Sequence, residues 1–383
     1  NCINSIWAFE KISKDFRPDV VITYNGSYAV NNLFLKFFKQ KKATPYLITG
    51  STNNNERLTN IHLFKESYFD SILEIKKNWV KLKKYPYNKS DAISVIKHMK
   101  TLFFSSTSHT FSHTIKDNYI NIKEYFKIKQ DQKIILVSMS SYDEVLSAYL
   151  LYTKKSLGGI FKDQIEWIEN IIKNFKNKNN YFIIFRPHPR EFLKTNDNYY
   201  LRKLKKIFSS LPSNMCVNYP KDKISIHNLG METSLLLNAW SSAGEDLGML
   251  GIPTISISKS FMNYPSDIDY YEDNKKKYFK KIFKILEKDN WSINRIELFY
   301  RFKSLMFNKS TIKLKKFMPK HYYFMRFIKL IDKISLFFGL PSFIKFKLFN
   351  FNNINNDKEL KKFLLTIKKK LYSPININLN SIK

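Results

Sequence analysis

Apolar positions in the first fifty residues come in short runs punctuated by turn formers. Asp19-Val20-Val21-Ile22-Thr23-Tyr24 follows Arg17-Pro18 and stops at Asn25-Gly26, which predicts a buried strand and a turn. From Ala29 to Lys39 the apolar positions fall at helical spacing, and Pro45-Tyr46-Leu47-Ile48-Thr49 is a second strand ending at Gly50. Strand, helix, strand with short loops is the unit of a parallel sheet. Residues 51–60, with Asn53-Asn54-Asn55, read as a polar loop, and residues 62–126 as mostly amphipathic helix.

The pattern then starts again. Lys133-Ile134-Ile135-Leu136-Val137-Ser138 is a strand, Asp163 to Phe175 a strong helix, and Tyr181-Phe182-Ile183-Ile184-Phe185 a strand running into Arg186-Pro187-His188-Pro189. Met215-Cys216-Val217 is a weak strand. Ser234 to Ala239 leads into Trp240-Ser241-Ser242-Ala243-Gly244-Glu245, and Pro253-Thr254-Ile255-Ser256-Ile257 follows Gly251 as another strand. Helices from about residue 274 close this second part. The economical reading is an α/β chain with two doubly wound domains and a cleft between them. A first domain covers 1–128, incomplete at its start. A second covers 129–295, and a basic, aromatic-rich helical tail covers 296–383. The first residue is Asn and not Met, so an initial strand is expected to be missing.

Composition narrows the classes. With 44% hydrophobic residues the chain has enough to bury real cores, which excludes a disordered protein. Lys and Arg number 65 against 32 Asp and Glu, a net charge of +33 that attracts polyanions without choosing among nucleic acid, anionic lipid and phosphorylated small molecules. No helix-turn-helix or RNP-type motif stands behind that charge, so nucleic acid is not expected as a partner. Two cysteines, Cys2 and Cys216, build neither a disulfide framework nor a zinc site, and a reducing cytoplasm is the simplest compartment. No run of about 18 uncharged apolar residues reads as a spanning helix, and no signal peptide is visible. Residues 315–351 interleave Lys and Arg with Phe, Tyr, Ile and Leu. They read either as a segment lying on an anionic membrane surface, which would put the protein on the inner face of the cytoplasmic membrane, or as helices packing back on the domains.

In open parallel sheets ligands bind beyond the carboxyl ends of the strands, and the polar clusters of this chain all sit at such ends. In Arg186-Pro187-His188-Pro189 the two prolines keep the chain extended and hold the imidazole at a strand tip. A guanidinium and an imidazole there suit a phosphate or carboxylate, the His donating an N–H or titrating as an acid. The bland alternative is a turn whose His caps a backbone carbonyl. In Trp240 to Glu245, small residues let a backbone approach a ligand. A helix starting near Ser242 or Ala243 offers unpaired N–H groups, Ser241 and Ser242 add hydroxyls, and Glu245 is placed for ribose hydroxyls. The alternative is a capping box of Ser242 with Glu245. In the stretch Ser138, Ser140, Ser141, Asp143, Glu144 the serines are donor-side candidates, and one of the two acids would serve as general base or orient an acceptor hydroxyl. The alternative is charge complementing a helix dipole. Tyr24-Asn25-Gly26 is the matching tip in the first domain, a turn in which Asn25 and Gly26 are candidates for holding an acceptor. His109 and His113 lie four apart without a third ligand, so no metal site is expected.

The order of these motifs resembles the GT-B glycosyltransferases that build bacterial capsule and lipopolysaccharide glycans, a group that includes Kdo transferases. The resemblance rests on Tyr24-Asn25-Gly26, Ser138 to Glu144, Phe161-x-Asp163-Gln164-x-Glu166-Trp167, Arg186-Pro187-His188-Pro189, and Trp240 to Glu245 with Gly251-Ile252-Pro253, and it covers roughly residues 15–290. It implies two Rossmann-like domains and a nucleotide-sugar co-substrate, CMP- or UDP-linked, bound mainly by the second. No other cofactor is implied. It implies that Arg186 and His188 contact the donor phosphate, that Ser241, Ser242 and Ala243 form the phosphate-binding helix tip, that Glu245 holds the ribose, and that Asp143 and Glu144 face the reaction centre. The acceptor would be a glycan or lipid-linked glycan. Related first domains often carry an acid where this chain has Thr49-Gly50-Ser51, which leaves Glu56 as the substitute base. Two other readings stay open: a CDP-glycerol or other polyol-phosphate transferase of the same architecture, and a non-catalytic membrane-surface protein that binds glycans.

Overall fold

The computed structural model describes residues 2–26, 28–57, 59–104, 119–148, 159–192, 198–288, 291–314 and 357–375. The chain divides into two compact units, Asn1–Ser71 together with Leu305–Lys383, and Ile72–Ser304. The first holds α1 (Cys2–Asp15), β1 (Val20–Tyr24), α2 (Ala29–Gln40), β2 (Thr44–Gly50) and β3 (Asn60–Lys65). At the junction lies α3 (Tyr68–Lys77), followed in the second unit by α4 (Trp79–Leu82), α5 (Lys89–Phe104), α6 (Ile122–Tyr125), β4 (Lys133–Ser138), α7 (Tyr142–Ala148), α8 (Gln164–Phe175) and β5 (Tyr181–Arg186). Next come α9 (Tyr199–Phe208), β6 (Met215–Val217), α10 (Ile226–Met231), β7 (Thr233–Asn238), α11 (Ala243–Gly248), β8 (Thr254–Ser256), β9 (Tyr270–Tyr271), α12 (Lys275–Glu287) and α13 (Ile293–Ser304). The chain then returns to the first unit with β10 (Thr311–Lys313) and α14 (Lys358–Lys368).

In the first unit the strand order is β1-β2-β3-β10. β1 and β2 run parallel with α2 as their crossover, as the sequence predicts, but β3 and β10 add antiparallel. The reason lies in residues 51–57, which turn back on themselves through bonds such as Glu56 N–H to Asn53 O at 3.0 Å, so that among the described residues no helix stands between β2 and β3 to carry a parallel crossover. One face of this sheet packs Val21, Leu47 and Phe64 against Leu35 and Phe38 of α2, and Phe9 of α1 closes the layer at 5.3 Å from Phe34. The other face packs Tyr46, Leu63 and Ile312 against Phe363 and Ile367 of α14. The Tyr46 hydroxyl lies 3.1 Å from the carbonyls of Thr366 and Leu371.

In the second unit six parallel strands run in the order β6-β5-β4-β7-β8-β9. Counted from β4, this is the order 3-2-1-4-5-6 of the dinucleotide-binding fold. Alternate residues face opposite layers. Ile135, Val137, Ile183, Phe185, Leu235 and Leu237 pack under α8, α9 and α12, whereas Ile134, Leu136, Ile184 and Leu236 pack under α6, α10 and α11. Strands buried on both faces must be apolar throughout, which explains the unbroken runs read in the sequence. Trp167 of α8 is wholly buried and its indole N–H donates to the Tyr278 hydroxyl at 3.1 Å. Burying a side chain of that kind contributes about 1.5–3 kcal/mol.

The α/β class is as expected, while the element boundaries differ in three respects. Asn60–Lys65, read as the end of a loop and the start of helices, is strand β3. The helices between residues 72 and 104 belong to the second unit, so the compact units do not divide at residue 128. The chain beyond residue 304 is not helical throughout, since Thr311–Lys313 is a strand of the first sheet and α14 covers that sheet. The segment 315–351 and the pair His109 and His113 lie outside the described residues. Among the described residues no helix is long and apolar enough to cross a membrane.

Candidate active site

The carboxyl ends of β5, β4 and β7 lie side by side, with Ser138 registered against Arg186 on one side and Asn238 on the other. Between β4 and β7 the strand order reverses, and in such sheets the crevice at the reversal takes the ligand. Ser140 spans that crevice: its hydroxyl accepts the Trp240 backbone N–H at 2.8 Å. Its own backbone is clamped by the buried Gln164 side chain, which accepts from Ser140 N–H at 2.9 Å and donates to Ser140 O at 3.2 Å. The loop after β4 is thereby fixed to the turn after β7.

The turn after β5 is joined to the same loop. Arg190 bonds both acids of α7, Glu144 at 2.7 Å and Asp143 at 2.9 Å. The buried Glu191 accepts the Tyr142 N–H at 2.6 Å. His188 Nδ1 accepts the Arg190 backbone N–H at 3.3 Å, which leaves Nε2 to carry the proton of the neutral ring. Burial, reinforced by Arg190 and opposed by Asp143, lowers the His188 pKa to about 4, so the imidazole is neutral at pH 7. Burial pushes Asp143 upward, but the Ser141 hydroxyl and Arg190 outweigh it and hold the carboxyl below its ordinary value. Glu144 is raised, by burial first. Ser138, Ser140, Ser141, Asp143, Glu144 and His188 therefore occupy one end of one sheet, as the sequence predicts.

Arg186 takes another direction. Its guanidinium donates to Asn218 and to Ile224 O at 3.0 Å, in the segment that follows β6. Burial lowers its pKa to about 10, leaving it a cation that braces neighbouring loops. In the turn after β7, Ser241 O accepts from Asn238 Nδ2 at 3.0 Å, and Ser241 Oγ accepts the Ala243 N–H at 3.2 Å. Ser242 is exposed and its side chain makes no capping bond, so the capping box considered above does not form. Gly244 is required by close approach: a Cβ there would lie 2.7 Å from Asn238 Nδ2. Glu245 does not point out of the sheet end. It is buried and paired with Lys303 of α13, and burial raises its pKa against the pull of that ammonium.

The remaining candidates are in the first unit. Asn25 sits in the left-handed region at φ 46°, in a turn whose carbonyls are tied by Asn31 to Asn25 O at 3.2 Å and Asn32 to Gly26 O at 3.0 Å. Glu56 accepts from Asn60 Nδ2 at 2.6 Å. Near it Ser51 Oγ accepts the Asn53 N–H at 3.1 Å, and buried His62 accepts the Thr52 N–H at 3.3 Å. Gln164 enters the sequence reading only as part of a motif, and Arg190, Glu191 and Lys303 are not singled out there. Arg190 and Glu191 directly follow Pro189, and that adjacency was the available signal. Among the described residues no group of three His, Cys, Asp or Glu is arranged to hold a metal.

No family model matches this chain, and no curated protein matches its sequence. Solved structures with a similar course include the KpsC β-Kdo 2,4-transferase of Thermosulfurimonas dismutans, at 11% identity over 74% of this chain and 79% of that one, with a TM-score of 0.44. The KpsC β-Kdo 2,7-transferase of the same organism is similar at 12% identity over 79% and 85%, TM-score 0.41. The S. aureus MnaA–UDP co-structure is similar at 12% over 89% and 82%, TM-score 0.37. At such identities the likeness concerns the course of the chain and says nothing of the reaction.

Proposed function

We propose that this chain is a GT-B-type glycosyltransferase that moves a sugar from a nucleotide-activated donor to a growing capsule or lipopolysaccharide glycan. The observation that carries the reading is the convergence of three separate turns, 138–144, 186–191 and 240–243, on the switch point of a six-stranded parallel sheet, tied by the Ser140–Trp240 and Arg190–Asp143/Glu144 bonds. In glycosyl transfer the barrier comes from charge building on the departing phosphate and from the proton on the acceptor hydroxyl. The neutral His188 Nε2–H, the exposed Ser242 hydroxyl and the Arg190 cation supply donors and positive field for the first. Asp143, kept ionised by Ser141 and Arg190, and Glu144 are the carboxylates available for the second. Glu245 takes a supporting part through Lys303, holding α11 in place, and Arg186 supports the turn after β5 from behind.

The test is a thermal-shift series with CMP, CDP, UDP and GDP, followed by donor screening with the nucleotide that binds. A nucleotide at 100 times its dissociation constant adds about 2.7 kcal/mol to stability. His188→Ala is expected to lower transfer by about 100-fold or more while the protein stays folded. If none of the four nucleotides moves the melting temperature, the reading fails. Phosphorus in the product would mark polyol-phosphate transfer instead.

A further inference from the structure

We infer that the second unit carries a saccharide-binding groove at the amino end of its sheet, opposite the candidate active site, with the indole of Trp291 as its platform. The groove has a volume of about 350 Å³ and is lined by Asp267, Asp269, Tyr270, Trp291, Asn294 and Arg295 among others. That lies at the low end of ligand pockets, about 300–1,000 Å³, and suits one or two pyranose rings. Its position follows from the bonds beneath it. Asp269 accepts the N–H of Thr254, the first residue of β8, at 2.9 Å, and Arg295 donates to Gly251 O at 3.0 Å, just before that strand.

Trp291 is exposed, at 55% of its surface, yet it is held. Its indole N–H donates to Leu250 O at 2.8 Å, and the neighbouring Ser292 N–H donates to Gly251 O at 3.3 Å. Gly251, at φ 84°, makes this possible, because a Cβ there would lie 2.6 Å from the indole nitrogen. An aromatic face fixed in water needs no ordering when a ligand arrives, which is the arrangement that favours binding.

The floor is equally fixed. Arg295 donates to Asp269 Oδ1 at 3.0 Å and its guanidinium lies 5.6 Å from the Tyr270 ring centroid. Asp269 Oδ2 is buried without a hydrogen-bond partner. Asp267 is exposed and takes Lys83 at 3.1 Å. The lining residues carry one cation, Arg295, against two carboxylates, Asp267 and Asp269, a balance that disfavours a phosphate or a nucleotide. What remains is an apolar aromatic plane beside carboxylate, amide and hydroxyl groups. A sugar ring matches both, placing its C–H face on the indole and its hydroxyls toward Asp267, Ser292 and Asn294. That the sugar belongs to the glycan acceptor rests on the transferase reading; that the groove takes a sugar does not.

The test is saturation-transfer NMR on the full chain with chitotetraose, maltotetraose and an α2,8-linked sialic acid tetramer, each up to about 10 mM, where ligands of this size bind weakly. At least one is expected to receive saturation at its ring protons. The signal should vanish in Trp291→Ala, persist in part in Trp291→Phe, fall several-fold in Asn294→Ala, and stay unchanged in His188→Ala. Should Trp291→Ala lose its fold, as judged by its melting transition, the exposed Asn294 variant decides. Absence of transfer to all three sugars overturns the inference, as does an undiminished signal in a folded Trp291→Ala or Asn294→Ala. Loss of signal in His188→Ala would move the sugar to the other end of the sheet and also overturn it. Failure of the transferase reading has a different signature, nucleotides that leave the melting temperature unmoved, and leaves this result standing.

Discussion

The Trp240 backbone N–H and the Ser140 hydroxyl meet at 2.8 Å across the point where the strand order of the second sheet reverses. This neutral bond ties two loops that enter from opposite halves of the sheet. Ser140 is buried, so Ser140→Ala leaves the Trp240 donor without its partner. The expected cost is about 1–3 kcal/mol in urea unfolding, and nucleotide binding should weaken with it. A variant as stable as the parent would show that the bond does not organise the crevice.

Arg190 holds two carboxylates with one planar group, a geometry that lysine does not reproduce. Arg190→Lys is therefore expected to behave nearly as Arg190→Ala in transfer assays, with a loss of about 10-fold or more in kcat. In Arg190→Ala, where Asp143 loses its stabilising cation outright, the acid limb of the pH–rate profile should also move upward, and in Arg190→Lys it should move part of the way as the paired guanidinium bonds are lost. A Lys variant with full rate and an unmoved profile would remove Arg190 from the reaction.

Glu245 and Lys303 form a buried pair. Breaking one side strands the other charge, so Lys303→Met is expected to cost about 3–5 kcal/mol. Adding Glu245→Gln should return much of that stability. Denaturation of the single and double variants gives the coupling directly, and strict additivity of the two changes would contradict the pairing.

His98 is buried on α5, where burial, helped by Lys303 and opposed by Asp246, lowers its pKa to about 3. An unfolded chain takes up that proton near pH 6.5, so between pH 6.5 and pH 3 the unfolded state binds more protons and stability falls as pH falls. The term is on the order of a few kcal/mol. His188, lowered to about 4, acts with the same sign. His98→Gln should flatten the decline of melting temperature below pH 6.5; an unchanged slope would sink the assignment.

The second sheet was legible in the sequence because strands covered on both faces have no polar side to confuse the pattern. Strand β3 was not. Its His62 is fully buried on bonds to the Thr52 amide and to Ser310, a residue far along the chain. Strand β10 has three residues, too short for any periodicity. At the site, Ser140, Asp143 and His188 lie at one end of the sheet. The bonds of Arg186 to the segment beyond β6 are set by tertiary packing, although strand parity held a clue. Arg186 continues the face of Phe182 and Ile184, which packs with Ile224, and its guanidinium reaches the Ile224 carbonyl. Glu245 was legible only as lying one turn into a helix. Its partner Lys303 is set by tertiary packing that local sequence does not record.

The closing of the first sheet by residues from the far end of the chain has a consequence for biosynthesis. The Lys65 N–H bonds the Tyr372 carbonyl and Tyr46 is roofed by α14, so β1, β2 and β3 stay unfinished until residues near 372 leave the ribosome. The second unit, continuous from 72 to 304, emerges whole in the meantime. A nascent chain halted at that stage offers an unpaired β3 edge and a bare apolar face to its neighbours, a hazard that lasts until residues near 372 have been added.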